Sequence, residues 1–331
     1  MTDRILIIGG AGYVGSHAVN RLQEEAEVWV YDNLCRGHRG AVPEGRLIEG
    51  DLMDREKLVA VMREKQINAV MHFAAFALVG ESVEHPEMYY RNNVVATYSL
   101  LEAMREADVK RIIFSSTTAT YGEPTKIPIT ESETQLPINP YGFTKLVTEH
   151  MLADYAHAYG LAYAALRYFN AAGASPAGHI GEDHDPESHL IPIVLQVALG
   201  QREKIFVFGE DYETPDGTCI RDYIHVDDLA EAHALALKKL QPGQGLQMNL
   251  GTGQGTSVQE VIDACRKVTG HPVPAEVGER RPGDPARLVA DSSLAQETLS
   301  WSPKYTSIES IVETAWNWHR AHPHGYAEHN N

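Results

Sequence analysis

The sequence predicts an α/β protein, a doubly wound parallel sheet followed by a smaller C-terminal α/β lobe. Three observations carry that expectation. Short apolar runs alternate with longer amphipathic ones through the first half of the chain. A glycine-rich turn joins the first apolar run to the first amphipathic one. After about residue 166 the rhythm gives way to a loop-rich stretch, AAGASPAGHIGEDHDPE, over 171–187.

The expected strands are 5–8, 28–31, 69–73, 112–115 and 162–166, apolar runs read as rich enough in Ile and Val to be buried on both faces. Between them, helical periodicity covers 13–25, 54–65, 86–106 and 141–158. Strand and helix in strict alternation require right-handed crossovers and parallel pairing. The stretch 171–187 reads as a linker or a binding loop. Further helices are expected at 190–199, 226–240, 258–268 and 308–320, and the strand-like run 246–250 could rejoin the first sheet. The expected division is therefore 1–170, rejoined by about 221–250, and a lobe made mainly of 171–331.

At 331 residues the chain exceeds a comfortable single core, which favours a large domain with an appended lobe. A formal charge of −17 with no basic patch argues against nucleic acid and against anionic membrane surfaces. No apolar run reaches the ~18 residues of a membrane span, and Met1 leads almost directly into a strand. The cysteines, Cys35, Cys219 and Cys265, are far apart and lack CxxC spacing, so free thiols in a reducing, cytoplasmic setting are expected. His184, His189, His319, His322 and His324 show no ligand spacing with carboxylates, and no metal site is expected.

The first strand ends in IIGGAGYVGSH, where Gly10, Gly12 and Gly15 satisfy GxGxxG and Gly9, Gly12 and Gly15 satisfy GxxGxxG. Such a turn lets backbone N–H groups at a helix N-terminus meet a pyrophosphate. Asp32 closes the second strand, 17 residues beyond Gly15, where a carboxylate accepts hydrogen bonds from an adenosine ribose and repels a 2′-phosphate. The pattern points to a Rossmann-type domain that binds NAD in preference to NADP. Arg36 and Arg39 lie nearby and read as solvated loop charges.

A nicotinamide cofactor needs a partner that exchanges the hydroxyl proton. In YGFTK, Tyr141 and Lys145 lie four residues apart, so they stack on one helix face. A free tyrosine, with a pKa of about 10, becomes a base at neutral pH only beside positive charge, which Lys145 and the NAD⁺ ring would supply. Ser115, Ser116 and Thr117 close a strand and offer hydroxyl donors to a substrate oxygen.

The set GGAGYVG, Asp32-Asn33, Gly50-Asp51-Leu52, HFAA at 72–75, FSST at 114–117, YGFTK and RYFN at 167–170 resembles the extended short-chain dehydrogenase/reductase family. GED, RDYIHVDDLA at 221–230, NLG at 249–251 and RRPGDP at 280–285 narrow the likeness to its UDP-glucose 4-epimerase branch, over nearly the whole chain. The resemblance implies 4-epimerisation of UDP-galactose and UDP-glucose with bound NAD, in a homodimer paired through two long helices, 86–106 and 141–158. It implies Tyr141 as catalytic base and acid, Lys145 as the group lowering its pKa, and Thr117 as the hydroxyl bonded to the sugar. Matching cofactor positions are Gly9, Gly12, Tyr13, Val14, Gly15, Asp32, Asn33, Asp51, Leu52, Phe73, Ala74, Ala75, Asn93, Ser115, Tyr141, Lys145 and Tyr168. Substrate positions are Thr117, Tyr141, Asn170, His189, Leu190, Phe208, Arg221, Arg281, Asp284 and Leu288. The arginines have a separate rationale, since a diphosphate on an acidic protein needs local guanidinium groups.

The chain departs from the family pattern at four places. Thr117 replaces a frequent Ser, Ala77 stands where some members carry a lysine, and His189 replaces a frequent Asn. Leu288 is smaller than the tyrosine of some members, which leaves room for an N-acetyl group. Related UDP-hexosamine or UDP-pentose epimerases therefore stay open as alternatives. A 4,6-dehydratase would need an acid and a base after the strand hydroxyl, where this chain has Thr118 and Ala119. A non-catalytic NAD-binding regulator would have no use for the Tyr/Lys pair.

Overall fold

The computed structural model describes residues 2–280 and 285–326. The first half runs β1 (Arg4–Ile8), α1 (Tyr13–Leu22), β2 (Glu27–Asp32), β3 (Leu47–Glu49), α2 (Arg55–Glu64), β4 (Ala69–His72), α3 (Val79–Glu84), α4 (Pro86–Tyr89), α5 (Ala96–Glu106), β5 (Arg111–Thr117), α6 (Pro140–Tyr159) and β6 (Ala162–Tyr168). Then come β7 (Asn170–Ala172), α7 (Leu190–Ala198), β8 (Ile205–Phe208), β9 (Ile220–His225), α8 (Val226–Lys239), β10 (Gly245–Leu250), β11 (Gly255–Ser257), α9 (Val258–Thr269), β12 (Ala275–Gly278), β13 (Arg287–Leu288), α10 (Ser293–Leu299) and α11 (Ile308–Ala321).

The main sheet has seven strands in the order β3-β2-β1-β4-β5-β6-β10, and every neighbouring pair is parallel. In β1, Ile5 and Ile7 face α1, α8 and α10, while Leu6 and Ile8 face α2, α5 and α6. Each is at most 1 % exposed, and burying such a side chain contributes about 1.5–3 kcal/mol. That is why the strand reads as an unbroken apolar run. β10 and α8 come from the second half of the chain and complete the sheet and one of its helix layers.

The C-terminal lobe packs α7, α9 and α11 against β8 and β9 around Val194, Leu195, Ile262 and Val312. β9 is flanked by β7 and β13, both parallel to it, and by antiparallel β11. Among the described residues no helix is long and apolar enough to cross a membrane.

The expected helix over 86–106 is not continuous. Tyr90–Val95 forms a π-helical turn between α4 and α5. There the Thr97 hydroxyl donates to the Asn93 carbonyl at 2.7 Å, so a side chain serves a backbone acceptor in the interrupted ladder. The short β3, α3 and α10 have too few residues to show a period.

Candidate active site

β1 lies between β2 and β4, where the chain's progress along the sheet reverses, and a cleft opens at the C-terminal ends of the strands there. It has an internal volume of about 470 Å³. Gly9 turns the chain out of β1 with φ +76°, and a Cβ there would stand 2.4 Å from the Ala74 nitrogen. A Cβ on Gly15 would stand 2.2 Å from the Gly9 carbonyl oxygen, so only glycine lets α1 start against this turn. Gly12 caps α1 without a side-chain hydrogen bond, which leaves first-turn N–H groups directed at the cleft for an anion.

Asp32 Oδ2 accepts from Ala11 N at 3.0 Å and Oδ1 from Leu34 N at 2.8 Å. Burial pushes its carboxyl above the usual range while those bonds pull it back. Farther along, Asn33 donates to Asp51 at 3.3 Å. Arg36, which also lines the cleft, is held by Glu81 at 2.6 and 2.9 Å and lies 4.6 Å over the Phe76 ring. Arg39 is tied to Glu49. With Asp32 at the ribose position and Arg36 neutralised, the donor set fits a dinucleotide whose adenosine ribose carries no 2′-phosphate.

The proton-handling groups meet where β5 ends against the start of α6. Asn139 caps α6 by accepting from Gly142 N at 2.8 Å, with Pro140 in the first turn. Tyr141 therefore sits in the first turn of a 20-residue helix, where the helix dipole favours an anion. Burial pushes the Tyr141 phenol above its ordinary pKa, and a hydrogen bond with Thr117 works the other way. Thr117 Oγ1 also accepts from Ala119 N at 3.2 Å. Lys145 Nζ donates to the Ser115 carbonyl at 2.8 Å and lies 5.9 Å from the centre of the Tyr141 ring. Burial lowers the Lys145 ammonium to about 7, against an opposing pull from Glu149. The Lys145 ammonium is thus anchored on β5 and stands off from the Tyr141 ring.

The sequence model of the NAD-dependent epimerase/dehydratase family matches residues 5–251. The chain belongs to that family. Among its relatives, the UDP-glucose 4-epimerase of Halalkalibacterium halodurans is 59% identical over 328 residues, covering 98% of both chains. A crystal structure of a UDP-glucose 4-epimerase superposes with a TM-score of 0.96 at 57% identity, over 98% of this chain and 99% of the other. The Brucella ovis UDP-glucose 4-epimerase, solved in complex with NAD, superposes with a TM-score of 0.92 at 52% identity, over 95% and 98%. The doubly wound Rossmann-type architecture is shared with these structures.

Most of the residues singled out in the sequence line this epimerase/dehydratase cleft. They are Gly9, Gly12, Tyr13, Val14, Asp32, Asn33, Asp51, Leu52, Phe73, Ala74, Ala75, Ser115, Thr117, Tyr141, Lys145, Tyr168, Asn170, His189, Arg221 and Leu288, with Ala77 beside them. Gly15 lies beneath the turn rather than on the cleft wall. Asn93 is buried and engaged elsewhere: it accepts from Phe76 N at 2.9 Å and donates to Phe76 O and Thr144 at 3.0 and 3.1 Å. It shapes the wall instead of lining it. Leu190 packs on the lobe core, and Phe208 is an exposed residue ending β8 that is not among the residues lining the cleft. Arg281 and Asp284 lie outside the described residues.

Among the groups that escaped the sequence reading, three bear on the chemistry of the cleft. Arg36 looked like a solvated charge, and its partner Glu81 is 45 residues away. Asp185 and Pro186 line the cleft from the loop after β7. The absence of a ligand pattern around His184 and His189 does not hold either. The structure gathers both with Glu182 and Glu187, through an irregular loop whose spacing carries no helical or strand period.

Proposed function

We propose that the protein interconverts UDP-galactose and UDP-glucose by inverting C4 of the sugar through a 4-keto intermediate. The observation that carries this reading is the convergence of Tyr141, Thr117 and Lys145 beside a dinucleotide cradle. When bound, NAD⁺ supplies the acceptor for the C4 hydride and gives the same hydride back. Tyr141 takes the C4 hydroxyl proton as hydride leaves and returns a proton when the ketone is reduced. The helix N-terminus and the Thr117 hydrogen bond favour its phenolate. Thr117 also hydrogen-bonds the sugar oxygen, and Lys145 fixes the end of β5 while adding its charge from a distance.

Residues 1–170, completed by β10 and α8, hold the cofactor, and the C-terminal lobe holds the nucleotide sugar. Arg221 and Asn170 border the cleft from β9 and β7 and suit the diphosphate and the sugar hydroxyls. The UDP group would then stay anchored while the keto sugar turns its other face. Tyr141→Phe tests the assignment. Epimerase turnover should fall about 10²–10⁴-fold while NAD still co-purifies with the protein, and a variant of near-normal rate overturns it.

A further inference from the structure

The loop between β7 and α7 carries a cluster that the epimerisation chemistry does not use. Glu182, His184, Glu187 and His189 each bring one ligand atom to within 4.8 Å of the others. His184 Nδ1 lies 3.3 Å from Glu182 Oε1 and 3.8 Å from Glu187 Oε2. His189 Nδ1 lies 2.6 Å from Glu182 Oε1 and 3.6 Å from Glu187 Oε1. Donors about 2.1 Å from a tetrahedral ion stand about 3.4 Å apart. The 3.3 Å separation and the approach to Glu187, 3.8 Å through Oε2 or 3.6 Å through Oε1, are near that value, and the 2.6 Å pair needs to open by less than an ångström.

A second observation points the same way. Glu182 Oε1, His184 Nδ1 and His189 Nδ1 are shut off from solvent, and none makes a well-formed hydrogen bond. The Glu182 side chain is only 4 % exposed. Buried polar atoms are ordinarily hydrogen-bonded, whereas these three meet one another at 2.6 and 3.3 Å without hydrogen-bond geometry. A cation at their common focus satisfies all three at once.

We propose that Glu182, His184, Glu187 and His189 form a site for a divalent transition-metal ion of the zinc class. Two imidazoles with two carboxylates suit that ion, whereas magnesium and calcium prefer all-oxygen sets. Its role is to hold one wall of the cleft. His184, Asp185, Pro186 and His189 face the cleft, and the His184 ring meets Tyr13 edge-on at 6.1 Å. Tyr13 in turn donates to the Gly173 carbonyl at 2.6 Å, so the ion clamps this loop against the start of α1. His189 then serves the wall through the metal rather than the sugar directly.

The test is metal content, read independently of turnover. The full chain and its His184→Asn and Glu187→Gln variants are equilibrated with micromolar ZnCl₂, freed of loose ion by gel filtration, and analysed by inductively coupled plasma mass spectrometry. The expected result is about one zinc per wild-type chain and at least about tenfold less in each variant. CoCl₂ in its place should give the intense visible d–d bands of a four-coordinate centre in the wild type, which needs no variant to fold. Zinc should also raise the melting temperature of the wild type where MgCl₂ and CaCl₂ do not. Zinc content far below one per wild-type chain overturns the proposal. So does equal zinc in both folded variants, or a cobalt spectrum of octahedral intensity.

Discussion

Burial pushes both Tyr141 and Lys145 toward their neutral forms. The phenol is raised and the ammonium lowered to about 7. The four-residue gap stacks them as the sequence suggests, yet Lys145 spends its hydrogen bond on the Ser115 carbonyl. In the proposed mechanism the phenolate therefore leans on the first turn of α6 and on Thr117. The lysine shift has a consequence for stability. Between about pH 7 and its ordinary value near 10.5, the unfolded chain binds this proton and the folded chain does not. Stability from this group thus rises with pH across that window, and the cost of burying the ammonium is fully present below it. Lys145→Met removes the ionisation. In nucleotide-free protein, the melting temperature of the variant relative to wild type should be highest near pH 7 and should fall toward pH 9.5. A constant difference across that range contradicts the shift.

At the scale of elements, α6 is tied to β5, β6 and β10 by one buried network. Arg167 donates to Glu149 through Nε and Nη2 at 2.9 and 2.5 Å and to the Tyr121 hydroxyl at 2.8 Å. Tyr121 donates to Asn249 at 2.7 Å, and Ser116 donates to Glu149 at 2.5 Å. Both charged side chains are 3 % exposed. Arg167→Met strands the Glu149 carboxylate and should cost about 3–5 kcal/mol in urea denaturation, most of it recovered by adding Glu149→Leu. A single-variant loss below about 1 kcal/mol would mean that water reaches the pair. None of this was visible in the sequence, where Arg167 was one letter of RYFN. The strands were legible because burial on both faces writes them as apolar runs, and the glycine turn because its steric demand admits no other residue. The π-helical turn, the pairing of Arg36 with Glu81 and the gathering around Glu182 were not, since each depends on residues brought together by tertiary structure.

Over the whole molecule, an acidic chain builds a cleft that spans both parts of the fold, with Thr117 at the end of β5, Tyr141 and Lys145 on α6, and Arg221 and Leu288 reaching in from the lobe. A further surface is unaccounted for by the monomer. Val83, Met88, Tyr90, Val95, Tyr98 and Phe143 are exposed on α3 to α6 and the π-helical turn, with Tyr90 and Phe143 in ring contact at 6.3 Å. Apolar groups gathered on one face mark a contact surface, and pairing of two copies through it fits the expected homodimer. Sedimentation should give twice the chain mass, reduced to one by Tyr98→Lys combined with Phe143→Glu, and a wild-type monomer contradicts the pairing. The reaction itself is tested most directly by incubating the purified protein with UDP-galactose in D₂O, without added cofactor, and following the sugar by proton NMR. Conversion to UDP-glucose with C4 still fully protonated is predicted, because the hydride that leaves C4 is the one that returns. Deuterium at C4, or no UDP-glucose even after NAD⁺ is supplied, would contradict it.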